Sequence, residues 1–408
     1  MAKATKKTNS TAEPHFGEIR NTGDPTRFKV IHPSDKAYYN ALNKKLLQPI
    51  PKPRDPGNML LQLEKVLGTN GKNAIQSIQK SGKIVFHAGG DTGSVIGPRT
   101  QSLVSDKMTN DFTDLSTDRP SFFFHLGDVV YSFGEGRFYY DQFYEPYRDY
   151  PAPILAIAGN HDGVVYQGDP APTLDAFLRN FVSEKPVHTN EASGLIRTAM
   201  IQPGVYFALD APFVRLIGLY SNVLEDPGIL TPNNDDQQIK FLVQQLKDAK
   251  SSGKCILLAV HHPPFTYGGK GHSGSPDMLK QIDEACNAAG CWPHAVLSGH
   301  AHNYQRYTRT IGQHDIPYIV CGNSGHNVRS LNKLGNPVRT PEQVKVNKTD
   351  TYSKDIIFEN YDDKNYGYLR IICSAATLRI EYHDAEIEQK TESDAVTVDL
   401  KTRAITWN

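Results

Sequence analysis

Short apolar runs, each closed by glycine or a polar cluster, constrain the fold of this chain more than any other feature. These runs are KIVFHAGG, SFFFHLG, APILAIAG, KCILLAV, HAVLSG and IPYIVCG. Continuous runs of this length, rich in Val, Ile, Leu and Phe, predict strands that are buried on both faces. Buried sheets need covering layers, and the helical stretches between the runs supply them. The sequence therefore predicts an α/β fold.

Metal-binding side chains follow the apolar runs in a fixed order. Because open sheets place their ligand sites at the carboxyl ends of strands, we expect these side chains to converge at one edge of the sheet system. The candidates are Asp91 in GGDTG, Asp128 and Tyr131 in GDVVY, Asn160 and His161 in GNHD, His261 in AVHHPP, and His300 and His302 in GHAH.

The donor types narrow the chemistry of the expected site. Carboxylate, amide, imidazole and phenol groups offer oxygen and nitrogen without a thiolate, a set that suits Fe, Mn and Zn. Seven donors are too many for one tetrahedral ion but suit two ions that share a carboxylate. Two ions roughly 3.5–4 Å apart can clamp the attacking and leaving oxygens of a phosphoryl group. The pattern predicts a two-metal hydrolytic site that needs no Ser–His–Asp nucleophile.

The motifs resemble those of the calcineurin-like metallophosphoesterases, and within them the purple acid phosphatase branch. That branch has DxG, GDxxY, GNH followed by an acid, a histidine two residues before proline, and GHxH, and all five occur here between roughly residues 83 and 330. The wider superfamily has DxH in the first motif. Here Gly93 takes the place of that histidine and Tyr131 ends GDVVY, a paired change typical of the purple branch.

The resemblance implies a role for each candidate. The first metal, ferric in that branch, would be bound by Asp91, Tyr131, His302 and one oxygen of Asp128. The second, Fe, Mn or Zn, would be bound by the other side of Asp128 with Asn160, His261 and His300. His161 would donate a proton to the leaving oxygen, and His272 is a candidate second donor. Asp162 would anchor its loop or orient a neighbouring imidazole.

The resemblance also implies the architecture and the reaction. The fold would be a four-layer sandwich of two mixed β-sheets flanked by helices, with a dinuclear site at the carboxyl ends of the strands. The reaction would be hydrolysis of phosphate monoesters by metal-bound hydroxide. A phosphodiesterase or nucleotide hydrolase with the same site stays an alternative, and a non-catalytic binding scaffold is a third reading.

Other histidines and aromatics have simpler interpretations. His87 and His125 lie inside apolar strands and are expected to be buried and hydrogen-bonded, and His262 is expected to be structural. No role follows from spacing for His294 or His326. The aromatic run RFYYDQFYEPYRDYP has helical spacing, which favours a core and cleft wall over a cofactor site.

Composition sets limits on partners and compartment. Lys plus Arg equals Asp plus Glu at 44 each, so no overall field favours nucleic acid or an anionic membrane, and a small phosphorylated substrate is the expected partner. The N-terminus has no apolar run typical of a secretory signal, which predicts a cytoplasmic protein. The cysteine count of five is odd, and a bridge between Cys286 and Cys291 stays open.

Organisation along the chain predicts one main domain. Residues 1–80 are expected to form a tail and a helical cap, from LNKKLL, MLLQLEKVL and AIQSIQK, and residues 81–408 the catalytic domain. Helices are predicted near 172–182 and 237–249. VYFALD and VRLIGLYS predict adjacent antiparallel strands, and the alternating segments after residue 366 predict closing strands. Residues 326–355 are expected to form a polar surface loop.

Overall fold

Two β-sheets lie face to face in this computed structural model, and helices cover their outer faces. The structure describes residues 37–45, 49–95, 97–113, 118–166, 168–169, 171–267, 272–331, 342–343, 355–388 and 391–407. The predicted four-layer arrangement of two mixed sheets flanked by helices is therefore confirmed.

The helices of the described residues are short to medium in length. Those longer than ten residues mostly end at a left-handed glycine, for example Gly82 after the third helix and Gly253 after the seventh, because glycine reaches positive φ without a Cβ clash. The helices are α1 Ala37–Lys45, α2 Leu63–Val66, α3 Gly71–Ser81, α4 Arg99–Asn110, α5 Gly136–Tyr139, α6 Asp175–Phe181, α7 Gln237–Ser252 and α8 Pro276–Ala289.

The strands include every apolar run from which the fold was predicted. They are β1 Leu60–Gln62, β2 Lys83–Gly89, β3 Phe123–His125, β4 Ile154–Ala156, β5 Phe207–Ala211, β6 Val214–Leu219, β7 Cys255–Val260, β8 Ala295–Ser298, β9 Tyr304–Ile311, β10 His314–Cys321, β11 Glu342–Gln343, β12 Ile356–Asp362, β13 Gly367–Ser374, β14 Thr377–Asp384, β15 Asp394–Asp399 and β16 Ile405–Trp407.

Each sheet combines a block of parallel strands with antiparallel strands. In the described residues the first sheet has the order β1-β5-β6-β7-β8-β10-β9-β12-β11, and the second has the order β16-β15-β14-β13-β2-β3-β4. Strands β6, β7 and β8 are parallel, as are β2, β3 and β4. The two parallel blocks therefore each present one row of carboxyl ends, and the loops after those ends carry the candidate ligands.

Successive side chains of the central strands alternate between two cores, as the two-residue period of a strand requires. In β3, Phe124 packs between the two sheets, whereas Phe123 packs against the helices outside the second sheet. In β7, Leu257 faces the inter-sheet core, and Leu258 packs under α7 and α8. Because both faces are buried, these strands lack the polar alternation of a half-exposed sheet.

The outer core of the second sheet is unusually aromatic. The run that follows the turn at residue 134 forms α5 and a π-helical turn at Tyr140–Tyr144. Its side chains Tyr139, Phe143, Tyr144 and Tyr147 are buried in this core. The run therefore forms core, as its helical spacing indicated.

Several predictions of local structure are confirmed. Strands β5 and β6 pair antiparallel, and β13 to β16 form an antiparallel meander at the end of the chain. Helix α6 begins three residues after its expected start, and α7 begins at its expected first residue. Most of the loop expected at 326–355, and the tail before residue 37, lie outside the described residues.

The helical prediction for MLLQLEKVL is wrong over its first half. Leu60–Gln62 forms β1, which pairs in parallel with β5 at the edge of the first sheet, and only the following residues turn into α2. Leu61 and Leu63 are buried in the inter-sheet core. Pairing with an open sheet edge overrode the helical propensity of this leucine-rich segment. The division of the chain at residue 80 stays a prediction.

The cysteines form no disulfide. All five are free thiols, and Cys286 is buried in α8 whereas Cys291 is partly exposed beyond its end. Among the described residues, no helix is both long enough and apolar enough to cross a bilayer.

Candidate dinuclear metal centre

The candidate ligands come from both sheets. Loops after β2, β3 and β4 of the second sheet carry Asp91, Asp128 and Asn160, and loops after β7 and β8 of the first sheet carry His261 and the histidines of GHAH. The ligands thus meet between the carboxyl ends of two parallel blocks, not along the edge of one sheet. All seven predicted metal ligands are brought together, and all are buried.

The first group of donors surrounds the phenol oxygen of Tyr131. This oxygen lies 2.8 Å from Oδ2 of Asp128, 3.0 Å from Oδ1 of Asp91 and 3.2 Å from Nε2 of His302. Nε2 of His302 lies 3.4 Å from Oδ1 of Asp91. Four donor atoms on three loops therefore face one another at neighbouring-ligand spacing.

The second group surrounds the amide oxygen of Asn160. Its Oδ1 lies 3.1 Å from Nε2 of His261 and 3.2 Å from Nδ1 of His300. Nδ1 of His261 donates to the carbonyl of Leu126 at 2.8 Å, which turns Nε2 toward the group. A second-shell hydrogen bond of this kind fixes the ring orientation of a metal-binding histidine.

Asp128 joins the two groups through a single oxygen. Its Oδ2 bonds to Tyr131 and also lies 3.4 Å from Nε2 of His261. Its Oδ1 accepts a hydrogen bond from the backbone N–H of His161 at 2.9 Å. Oδ2 thus lies next to donors of both groups, and the expected division of the two Asp128 oxygens between the two sites stays a prediction.

The electrostatics of the pocket favour the entry of cations. Burial, together with repulsion from Asp128, raises the pKa of Asp91 well above its usual range. Burial and both carboxylates raise the pKa of Tyr131 in the same direction. Burial alone would lower the pKa of His261, but the charge of Asp128 and its hydrogen bond raise it to about 9. These shifts show that the two carboxylates attract positive charge into the pocket. Protons on these side chains supply that charge when no metal ion is bound.

Four of the candidate ligands adopt a left-handed backbone conformation, which is uncommon for residues with a side chain. The φ angles are 56° at Asp91, 56° at Asp128, 67° at His300 and 33° at His302. Such conformations persist only where the surroundings enforce them, and they cluster at functional sites. They turn each side chain back from the strand end toward the pocket.

Gly93 leaves the space that the Tyr131 ring occupies. A Cβ at this position would lie 2.4 Å from Oε1 of Gln142 and 3.1 Å from Cδ2 of Tyr131. The side-chain amide of Gln142 in turn accepts from the backbone N–H of Tyr131 through Oε1 and donates to its carbonyl through Nε2, at 2.9 Å each. A histidine at position 93 and a tyrosine at position 131 therefore compete for one volume, which is the physical reason for the paired change noted in the sequence.

His161 and Asp162 have separate tasks. Nδ1 of His161 donates to the carbonyl of Ser132 at 2.9 Å, so that Nε2 points toward Asp128 at 4.0 Å. The Asp162 carboxylate accepts from the backbone N–H groups of Gly159, Val129 and Val130. Of the two roles considered for Asp162, the geometry matches anchoring of the loops, since it ties the GDVVY turn to the GNHD turn.

His272 lies at the second group despite its uncertain spacing in the sequence. Its ring centroid is 4.6 Å from that of His300 and 5.1 Å from that of His302. The side chain is buried. The structure therefore places it within reach of the site, whereas its role as a proton donor stays a proposal.

Glu225 and His326 were missed by sequence reasoning. Glu225, in the loop after β6, lies 3.8 Å from Nε2 of His161. His326 stacks on the ring of Tyr131 with centroids 3.8 Å apart and an interplanar angle of 9°. Their positions after strands could have indicated them. Glu225 follows β6, which is parallel to β7, and His326 follows β10, which is parallel to β8. Both loops therefore leave the first sheet at the carboxyl ends that carry the candidate ligands.

The remaining histidines bear out the simpler interpretations. His87 bonds to Tyr150 and Asp111, and His125 bonds to Thr92. His262 bonds to Ser221 and to the carbonyl of Leu224, and its ring packs against that of His300 with centroids 4.2 Å apart. Nδ1 of His294 accepts from the backbone of Ile256.

The residues fit a pair of bound metal ions. The two groups consist of oxygen and nitrogen donors 2.8 to 3.4 Å apart, the spacing of neighbouring ligands around an ion bonded at about 2.1 Å. Two sets with ligand atoms within 4.8 Å of one another, Asp91–Asp128–His302 and Asp128–His261–His300, share one aspartate. The set has the composition of a dinuclear site.

Comparison with known families decides the identification. The family model of the calcineurin-like phosphoesterases matches residues 98–304, about half of the chain and most of the candidate ligands. The chain belongs to the calcineurin-like phosphoesterase family. This confirms the family to which the motifs pointed, and the phosphoesterase fold accounts for the two facing sheets. No curated protein sequence matches the chain.

Solved structures share the fold of this chain at low identity. A purple acid phosphatase, PPD1, from yellow lupin (Lupinus luteus) seeds matches with a TM-score of 0.53 and 15% identity, over 78% of this chain and 54% of that protein. GAP50, the anchor in the inner membrane complex of Plasmodium, matches with a TM-score of 0.50 and 14% identity, over 75% of this chain and 86% of that protein. The chain spans about half the length of the lupin enzyme.

Proposed function

We propose that this phosphoesterase hydrolyses phosphate monoesters of small molecules, with iron at the Tyr131 position and Fe, Mn or Zn at the other. The observation that supports it is the phenol oxygen of Tyr131 among the donors of the first group. A phenolate prefers a trivalent ion, since hard anionic oxygens bind best to highly charged cations. The lupin purple acid phosphatase, similar in fold, is consistent with this assignment.

The chain's own residues position the substrate and move the proton. When bound, the two ions would lower the pKa of a coordinated water and offset charge on the phosphoryl oxygens. Nε2 of His161 is the proton donor to the leaving oxygen, because its Nδ1 is fixed by Ser132 and its Nε2 points over Asp128. Imidazole is the side chain that most often transfers a proton in general acid–base catalysis.

Burial of the site serves the same reaction. Asp91, Asp128 and His261 are fully buried, and His161 is 6% exposed. Charges in such a site interact more strongly than in water and need no rearrangement during the reaction. With two ions bound, the site would attract an anionic substrate even though the overall charge of the protein is zero.

A phosphodiesterase or nucleotide hydrolase activity is the second candidate. The same donor set can bind a diester if the cleft accepts the second substituent. Glu225 bears on this choice, since its negative charge lies 3.8 Å from His161 and would repel a monoester dianion more than a diester monoanion.

A non-catalytic role is the third candidate. GAP50 shares the fold and is described as an anchor, so the fold alone does not require hydrolysis. Against this, the full set of seven predicted ligands is present and brought together in this chain.

Metal analysis and paired substrates test the proposal. The metal-replete protein is expected to hold two ions per chain and to hydrolyse nitrophenyl phosphate with a higher kcat/KM than bis-nitrophenyl phosphate. An Asp128→Asn variant, which keeps the shape of the side chain, serves as the control for adventitious turnover. A higher kcat/KM for the diester would favour the phosphodiesterase activity instead. A protein that binds two ions but hydrolyses neither ester would support the non-catalytic role.

A further inference from the structure

A carboxylate outside the predicted ligand set faces the second group of donors. Glu225 lies in the loop after β6, and its side chain is 14% exposed. Because β6 runs parallel to β7, this loop leaves the sheet at the same edge as His261. Glu225 is thus the acidic residue that the first sheet adds beside the ligands of the second group.

The carboxylate bonds to the half of the Asn160 amide that does not face the ligands. Nδ2 of Asn160 donates to Oε2 of Glu225 at 3.3 Å, while Oδ1 faces His261 and His300 at 3.1 and 3.2 Å. The two ends of an amide have nearly the same shape, and only the oxygen can bind a cation. An ionised carboxylate accepts hydrogen bonds but cannot donate them, so it pairs with one orientation of the amide.

Two imidazoles flank the same carboxylate. Nε2 of His161 lies 3.8 Å from Oε2 of Glu225, and Nε2 of His272 lies 4.0 Å from its Oε1. Both separations are too long for a direct hydrogen bond but short enough for a charge interaction. Glu225 therefore stands at the centre of the three polar side chains Asn160, His161 and His272.

The loop that carries Glu225 is tied down on both sides. Nε2 of His262, the neighbour of a candidate ligand, donates to the carbonyl of Leu224 at 2.7 Å. The carboxylate of Asp226 accepts from the hydroxyl of Ser273 at 3.0 Å, next to His272. Residues before and after Glu225 are thus held to two other loops of the site, as a pre-organised group requires.

We infer that Glu225 is a positioning residue of the second metal subsite. Its carboxylate holds the Asn160 amide with Oδ1 toward the histidines, so that the oxygen and not the nitrogen is presented to the ion. This rests on the proposed function in so far as it assumes an ion at that position. Glu225 lies outside the predicted ligand set, and the inference is that selective metal binding at one of the two subsites depends on it.

A Glu225→Gln variant tests the inference with the least change in shape. Glutamine both donates and accepts, so it can pair with Asn160 in either orientation and no longer selects one. We expect the affinity of one of two Mn²⁺ sites to fall about 10- to 100-fold, the range for loss of a group that orients a ligand, and the other to change less than about threefold. The measurement is calorimetric titration of the metal-stripped full-length protein with Mn²⁺.

A matched control and a double-mutant cycle complete the design. Glu191→Gln makes the same chemical change at a carboxylate that is 9% exposed and bonds to Arg179, and it should leave both sites unaltered. In an Asn160→Asp background both side-chain atoms are oxygens, so Glu225→Gln should no longer weaken binding. Circular dichroism verifies that each variant is folded.

The outcomes separate this inference from the proposed function. Two Mn²⁺ sites of unchanged affinity in Glu225→Gln, or equal weakening of both sites, would overturn the inference while wild-type binding and hydrolysis still stand. The same weakening in the Asn160→Asp background would also overturn it, because the amide would not be the link. A wild-type protein that binds neither Mn²⁺, Zn²⁺ nor iron would refute both.

Discussion

The phenol oxygen of Tyr131 lies 2.8 Å from Oδ2 of Asp128, the same oxygen that lies 3.4 Å from Nε2 of His261. One carboxylate oxygen therefore belongs to both groups of donors. Burial, with the charges of Asp128 and Asp91, raises the pKa of Tyr131 well above its usual range. The phenol proton can leave only when a cation takes its place, so metal binding and proton release are coupled.

Replacement of Tyr131 tests that coupling. With ferric iron bound, the wild-type protein should absorb in the visible, because phenolate bound to ferric iron gives a charge-transfer band. Tyr131→Phe should lose the band and release fewer protons on loading, while it keeps the second ion. Absorption spectra and proton release in weak buffer measure this. A colourless wild-type protein with stoichiometric iron would contradict the assignment of Tyr131.

Replacement of the shared aspartate should affect both sites at once. In Asp128→Asn the charge that faces Tyr131 and His261 is gone. We expect the protein to keep less than about one-tenth of the wild-type content of either metal, which corresponds to a loss of more than about 1.4 kcal/mol of binding free energy at each site. Asp91→Asn should weaken the first site more than the second. Elemental analysis after dialysis measures both. Retention of two ions in Asp128→Asn would exclude a shared ligand at this position.

His161→Ala should separate metal binding from turnover. The side chain donates to Ser132 and points its Nε2 over the site, so two ions should stay bound while kcat falls about 10²- to 10⁴-fold. The loss should be larger for an alkyl phosphate than for nitrophenyl phosphate, since nitrophenolate departs without a proton. Steady-state kinetics on both esters measure the ratio. An equal loss on both substrates would argue against proton donation.

Gly93→Ala should destabilise the protein and displace Tyr131. The new Cβ would lie 2.4 Å from Oε1 of Gln142 and 2.8 Å from the carbonyl of Val129, and crowding of this kind costs about 1 to 3 kcal/mol. Urea denaturation measures the loss. As a control, Gly194→Ala meets no atom within 4 Å and should have a much smaller effect. Equal stability of both variants would contradict the close packing at position 93.

Acid should destabilise the protein through His294, which is remote from the candidate ligands. Burial, with the charge of Arg403, lowers its pKa to about 3. Because this lies below the unfolded value, protonation favours the unfolded state, and stability falls as the pH drops through about 6.5 toward 3. Between pH 7 and 5 the loss should be about 2 kcal/mol. In His294→Asn, whose Oδ1 can still accept from Ile256, the free energy of unfolding should depend less on pH by this amount. Identical pH dependence in the two proteins would exclude His294 as the cause.

The strands and the order of the donors could be predicted from the sequence because both are local properties. An apolar run such as KCILLAV, closed by a polar residue, predicts a buried strand whatever lies beside it. The pairing of Gly93 with Tyr131 was also visible in the sequence, although the reason for it was not. The structure supplies that reason, since both positions use one volume next to Gln142.

The tertiary structure decided which distant groups meet. The sequence by itself determined the strands, the polar residues that end them and the family to which they belong. Only the fold brought the donors of two separate sheets together and put one oxygen of Asp128 next to both groups. The fold also placed Glu225 and His326 beside these donors, and it made Leu60–Gln62 an edge strand. Strand formation follows from hydrophobic period and turn residues along the chain, whereas these contacts depend on sheet order and loop direction, which are set by packing between residues far apart in the sequence.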